Sequence, residues 1–179
     1  MMLLKDYLLL NLGRVTPDEA RRWQAEMAAR RRMDASRDLL AFWRPMANEG
    51  RAHVGQLVAC AIFHPYRFDG ELTLLELRQG LVEAVRVTLA GLGLEAGVYG
   101  NEVWVGETLM ARVECLRDEG VLLGEVYIEM LTIWEFLLRE VPPAQLANAV
   151  AYHTEQLFGY AQAAIHPVAY EEQMRPRTL

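Results

Sequence analysis

Apolar positions recur every second residue in some stretches of this chain and every third or fourth in others, and the switches of period mark its elements. "DYLLLNLG" (6–13) is an almost unbroken apolar run ending at a glycine, which predicts a buried strand. Thr16-Pro17-Asp18-Glu19 then reads as a helix start. Thr16 caps, Pro17 suits the first turn and Glu19 completes a capping box. The helix runs to about Arg31, with Ala20, Trp23 and Met27 on one face. "DLLAFW" (38–43) predicts a second strand, stopped before Pro45, and "GQLVACAIF" (55–63) a third, apolar enough to be central. Thr73-Leu74-Leu75-Glu76 is another capping box. It opens a helix with Leu74, Leu77, Leu81, Val85 and Leu92 on one stripe, closed near Gly91 and Gly93.

The period then returns to two. "LEAGVY", "EVWVG", "LMARVECL" and "VLLGEVYIEM" read as short strands joined by turns at Gly100-Asn101, Gly106-Glu107 and Asp118-Glu119-Gly120, an antiparallel meander. After "TIWEFLL", Pro142-Pro143 opens a helix that ends at Gly159, and the tail beyond Pro167 is read as a short helix or an extended arm. No internal repeat or low-complexity linker divides residues 1–179. The expectation is a single α+β domain, a mixed or antiparallel sheet packed with three helices.

Composition narrows the class. Hydrophobic residues make up 53% and charged residues 23%, as in a globular protein with a real core. No apolar run approaches the roughly 20 residues that span a bilayer, and "MMLLKDYLLLNLG" lacks the form of a signal peptide. Cys60 and Cys115 lie in apolar stretches, which points to reduced thiols and a cytoplasmic location. The net charge of −6 argues against a general nucleic-acid binder. It is uneven, net +3 over residues 1–51 and −9 over 52–179. The basic part peaks at Arg30, Arg31 and Arg32, read as a solvated helix end that complements the dipole, with an acidic docking site as the alternative. Lys5 is the only lysine, so few ammonium groups serve acid–base work. There is no phosphate-binding glycine loop and no Cys/His metal spacing, so no cofactor or metal is expected. Four histidines, His53, His64, His153 and His166, are scattered along the chain.

Three stretches together carry a resemblance: "LGRVTPDEARRWQAEM", "HVGQLVACAIF" and "VWVGETLMARVECLRDEGV". In this order they are similar to the octanoyltransferases, the lipoate–protein ligase B family of the biotin/lipoate ligase superfamily. The similarity spans roughly residues 7–160, with 161–179 as a tail. It implies the catalytic-domain fold of that superfamily. It also implies a chemistry in which a cysteine takes an octanoyl group from acyl carrier protein and a lysine of a lipoyl domain receives it. The family's own active-site lysine assists the proton transfers. Such covalent catalysis needs an activated thiolate and a nearby base.

The places that matter most are altered. Reading outward from "VWVG", the family lysine falls on Leu109. Continued without gaps, the loop that carries the nucleophilic cysteine falls on Val141 to Ala144, with Pro143 in the cysteine's place. The chain has no cysteine after Cys115. The family's histidine–glycine and Ala-Leu-Asn positions fall on Gly124-Glu125 and on Tyr127-Ile128-Glu129. "EGRAHVGQLV" keeps His53, Gly55, Gln56, Leu57 and Val58 but lacks the glycine-rich approach, and only Met46 to Arg51 remain of the loop that helps enclose the acyl chain.

No catalytic residue is therefore assigned. The expected substrate-binding set is His53, Gly55, Gln56, Trp104, Gly106 and Leu109. Each has a plainer reading: His53 as an ordinary loop residue, Trp104 and Trp134 as core. Cys60 is read as buried and inert, with a relocated nucleophile as the alternative. Cys115 is read as structural. Glu125 and Glu129, on one face of a strand, are read as solvated or partner-facing, with a carboxylate pair as the alternative. Leucine in place of lysine leaves two outcomes at 109: an apolar pocket for a neutral acyl chain, or collapse of neighbouring side chains into it. Three functions remain open. The first is a catalytically silent relative that binds an acyl or lipoyl group, a lipoyl domain, acyl carrier protein or a homologous subunit. The second is an active transferase with a rearranged site using Cys60 or a substrate-supplied nucleophile. The third is an interaction or oligomer subunit without a pocket.

Overall fold

The structure, a computed structural model, describes residues 7–33, 38–67 and 71–159. The first residue of the predicted first strand, Asp6, and the tail beyond Pro167 lie outside the described residues. Strand β1 (Tyr7–Val15) leads to helix α1 (Pro17–Arg32), then β2 (Asp38–Pro45) and β3 (Leu57–Phe63). Helix α2 (Leu74–Gly91) follows. The meander is β4 (Gly97–Tyr99), β5 (Glu102–Val105), β6 (Thr108–Asp118) and β7 (Val121–Ile128), and the helices α3 (Met130–Leu137) and α4 (Pro143–Phe158) close the described part. Both capping boxes form as the sequence predicts, at Thr16 with Glu19 and at Thr73 with Glu76.

Among the described residues the strands make one seven-stranded sheet in the order β1-β2-β3-β7-β6-β5-β4. β1 and β2 pair in parallel and every other pair is antiparallel, so the sheet is mixed and the domain α+β. Because side chains alternate along a strand, the sheet has two distinct faces. One face puts Leu40, Phe42, Ala59, Ala61, Val113 and Val126 under α2 and α4, in the larger core. The other puts Ala41, Cys60, Ile62 and Leu123 under Trp23, Met27 and Ala28 of α1. The central strand β3 is buried along its whole length, as its apolar run predicts.

Three expectations are corrected. The fourth helix, α3, lies where "VLLGEVYIEM" and "TIWEFLL" were expected to be strand or unassigned chain. Met130 and Ile133, one turn apart, are buried, and Leu138 stops the helix at φ 54°. The third strand begins at Leu57, not Gly55, because residues 53–56 form a turn closed by the Gln56 N–H donating to the His53 carbonyl at 3.2 Å. Finally, the Arg30–Arg32 run is not simply a solvated helix end. Arg30 pairs with Glu26 on the surface, but Arg32 pairs with Asp118 and Glu119 of the β6–β7 hairpin. The Arg31 side chain is 1% exposed and its Nε donates to Asp38 Oδ1 at 2.8 Å. These ion pairs pin the C-terminal end of α1 to β2 and the hairpin.

Candidate functional site

Helix α1 covers only part of its face of the sheet. Beside it lies a cleft of about 310 Å³. Cross-strand register builds the floor: Cys60 of β3 stands opposite Glu125 of β7, and Glu125 opposite Glu114 of β6. Pro17, Ala20, Trp23 and Gln24 of α1 form one wall, and Trp43 ends the floor on β2. The segment after β2 forms the other wall. Its loop does not stand open. Glu49 and Ala52 bond each other's backbones at 2.8 and 3.1 Å, and Arg21 of α1 pairs with Glu49.

The polar groups form two sets. Arg51 pairs with Glu114, and the Tyr127 hydroxyl donates to Glu125 at 2.6 Å. Burial, the hydrogen bond to Glu125 and that residue's negative charge push the Tyr127 phenol up. Burial, then Glu125, also pushes the Cys60 thiol up, against a hydrogen bond from Gln24 at 3.3 Å. Cys60 is therefore held as the neutral thiol, which is a poor nucleophile. Iodoacetamide at pH 8 is expected to leave Cys60 unlabelled in the native chain and to label it after denaturation, as read by mass spectrometry. Fast native labelling would restore Cys60 as a candidate nucleophile. Cys115, half-buried on the α2 face, is pushed up to about 11 by burial, with nearby Arg78 acting against the shift.

The residues expected from the sequence fall in two groups at the end of the sheet nearest α3. His53, Gly55 and Gln56 gather on Glu129. The His53 Nε2 lies 3.0 Å from that carboxylate, and the Gln56 amide donates to it at 2.7 Å. The Gly55 carbonyl accepts from the Leu131 N–H at 3.2 Å, and a Cβ on Gly55 would meet the Leu131 side chain at 2.7 Å. The second group is on the meander. Trp104 and Leu109 are cross-strand partners of β5 and β6, both partly buried, and Gly106 turns between them at φ 59°. The Trp104 indole donates to Glu102 at 3.1 Å, and Glu102 also accepts from Arg112 at 2.7 Å. Register places Trp104, Leu109, Arg112 and Glu114 on the same side of the sheet as Glu125 and Cys60. None of the six expected residues lines the cleft beside α1. Glu125 and Glu129 separate in role, one on the cleft floor and the other under His53 and Gln56. Pro143 opens α4 on the opposite face, with Leu146, Ala147 and Val150 of that helix in the larger core.

Sequence reasoning missed Gln24, Trp43, Arg51 and Glu114. Glu114 was accessible, since the turn at Asp118-Glu119-Gly120 fixes the hairpin register. Gln24, Trp43 and Arg51 come from separate segments that only the fold brings together. Among the described residues there is no cluster of three or more His, Cys, Asp or Glu suited to a metal, and no helix long and apolar enough to cross a membrane.

A mixed seven-stranded sheet, layered by helices in this order, is the fold of the biotin and lipoate protein ligase catalytic domains. The bi-partite lipoate protein ligase of Thermoplasma acidophilum, studied with its E2 lipoyl domain, superposes with a TM-score of 0.63. The match has 12% identity and covers 93% of this chain and 89% of that one. An arginine-to-glycine mutant of the Aquifex aeolicus biotin protein ligase, in complex with biotin, gives 0.62 at 14% identity, over 85% and 70%. The Leishmania major biotin protein ligase with biotinyl-5-AMP gives 0.58 at 15%, over 88% and 76%. The sequence itself matches no family model and no curated relative.

Proposed function

We propose that this chain is a binding protein on the ligase fold that no longer transfers acyl groups, and that the cleft beside α1 receives a small organic ligand. The carrying observation is the formed cleft, read together with the residues that stand where the octanoyltransferase resemblance puts its reacting groups. By that resemblance the lysine and cysteine places fall on Leu109 and Pro143, the only lysine is Lys5, and Cys60 is a buried neutral thiol. The turn at His53, Gly55 and Gln56 and the strip of Trp104, Gly106 and Leu109 extend the binding face toward α3. The resemblance supplies the first ligands to try, an acyl or lipoyl group. It also supplies the first partners, a lipoyl domain or acyl carrier protein, with a homologous subunit as the other. The lipoyl-domain reading draws support from the structural neighbour studied with its E2 lipoyl domain.

The test runs octanoyl–acyl carrier protein and a lipoyl domain with the chain. A calorimetric titration with octanoate and lipoate and pull-downs with both proteins run beside it. No acylated lipoyl domain is expected, together with saturable binding of a small molecule. Time-dependent acylation that disappears in Cys60→Ser would replace this reading with an active, rearranged transferase.

A further inference from the structure

The arginines of the cleft are already engaged, Arg21 by Asp18 and Glu49 and Arg51 by Glu114. Glu125 is not matched in this way. Among the described residues its one polar partner is the neutral Tyr127 hydroxyl, and it makes no ion pair. It also stands directly across the strand pair from Glu114, and like charges so placed disfavour each other. Arg51 pairs with Glu114, and its charge is felt at the Tyr127 hydroxyl beside Glu125, but it makes no ion pair with Glu125 itself. The floor therefore keeps a partly buried negative charge with a hydrogen-bond donor on one side only. Such a charge favours a cation at van der Waals range.

The head of an anion finds no counterpart at the Glu125 end of the floor. The start of α1 lies at the cleft, but Pro17 has no N–H to offer and the Thr16 hydroxyl occupies the Glu19 N–H. Asp18 and Glu19 place two further carboxylates on that first turn. Beside its polar lining the cleft has an apolar part, Ala20 and Trp23 from α1, Trp43 from β2 and Ala52 from the loop. A carboxylate in a cleft with such an apolar part matches a cationic head on a short hydrocarbon stem, with aromatic neighbours adding to the attraction.

We propose that the cleft binds a primary alkylammonium group, its ammonium on Glu125 and its stem against Trp23, Trp43 and Ala52. The inference rests on the reading of the cleft as a ligand site. Two sources offer this chemistry, a free amine and a lysine side chain of another protein.

The whole chain is titrated calorimetrically with n-butylammonium, butanoate, 1-butanol and Nα-acetyl-lysine methylamide, beside octanoate and lipoate. Butylammonium is expected to bind at least about tenfold more tightly than butanoate or butanol, as a charge-assisted hydrogen bond allows. Glu125→Gln, which keeps the shape and the acceptor for Tyr127, is expected to erase that margin. Its melting temperature is read in the same buffer. Tighter binding of the lysine derivative than of butylammonium assigns the site to a protein lysine, and the reverse assigns it to a free amine. Butanoate or butanol binding as well as the ammonium, or a margin that survives in Glu125→Gln, overturns the inference and leaves the ligand cleft standing. Silence from every probe, octanoate and lipoate included, overturns both. The comparison among probes uses the unaltered chain, so it holds even if the variant unfolds.

Discussion

Asp38→Ala is expected to be the most destabilising single polar-to-alanine change in the described part of this protein, by about 3–5 kcal/mol. The Arg31 and Asp38 side chains are 1% and 0% exposed, and Asp38 Oδ1 accepts from Arg31 Nε at 2.8 Å and from the His64 N–H at 2.9 Å. A buried pair contributes little net stability, because its attraction is offset by the loss of hydration. Removing one partner is different: the desolvation cost of the other charge remains and its compensation goes. With a total stability of about 5–15 kcal/mol for an ordinary domain, such a loss brings the chain close to unfolding. Urea denaturation reads it directly, with the same slope and a lower midpoint. Asp38→Ala combined with Arg31→Met is expected to recover most of the loss, since an apolar replacement of both partners is close to neutral. An unfolding free energy for Asp38→Ala within about 1 kcal/mol of the parent would show that water reaches this pair. The effect extends to function, because Asp38 holds the end of α1 and α1 is a wall of the cleft.

Much of this fold can be read from local chemistry. The capping boxes at Thr16 and Thr73 and the alternation of "LMARVECL" each state their element in a few residues, and each forms. Beyond Met130, which is read as the end of a strand, the segment of α3 has no assignment from the sequence, because "MLTIWEFL" is apolar almost throughout and neither period stands out. Only the burial of Met130 and Ile133 on one side reveals the helix. The Arg30–Arg32 run misleads for a different reason. Charge on a helix end reads as solvated, and nothing nearby in sequence announces that Asp38 will meet Arg31 in the interior. The cleft divides along the same line. Its floor is a register, fixed by the β6–β7 turn and legible from it. Its walls are tertiary, made by Gln24, Trp43 and Arg51 from three separate segments. Glu125 and Glu129 read as two periods apart on one strand face, but β7 ends at Ile128, Glu129 caps α3, and their partners, Tyr127 for one and His53 with Gln56 for the other, assign them to different places.

Placing a lysine and a cysteine where the octanoyltransferase resemblance puts them, Leu109→Lys with Pro143→Cys, is expected to leave octanoyl transfer at least about 10²-fold below an octanoyltransferase run in parallel. Misplacement of reacting groups by about 1 Å is enough for a loss of this size. The new thiol itself should be competent. It would sit in the first turn of α4, where the helix dipole favours a thiolate, and the exposed neighbour Pro142 leaves it accessible. Alkylation of the thiol introduced at position 143 in the double variant, followed by mass spectrometry, checks this separately from turnover. The difficulty lies in what surrounds it. The lysine at 109 would start β6 on the α1 side of the sheet, whereas α4 packs in the core of the other side. Nearby carboxylates are committed, Glu102 to Arg112 and Trp104, Glu129 to His53 and Gln56. The loop at 46–52, which folds against α1, brings no further group to position 143. A reactive thiol without transfer is the expected pair of results. Turnover within tenfold of the parallel enzyme would show that both side chains converge on one bound thioester and would overturn this expectation.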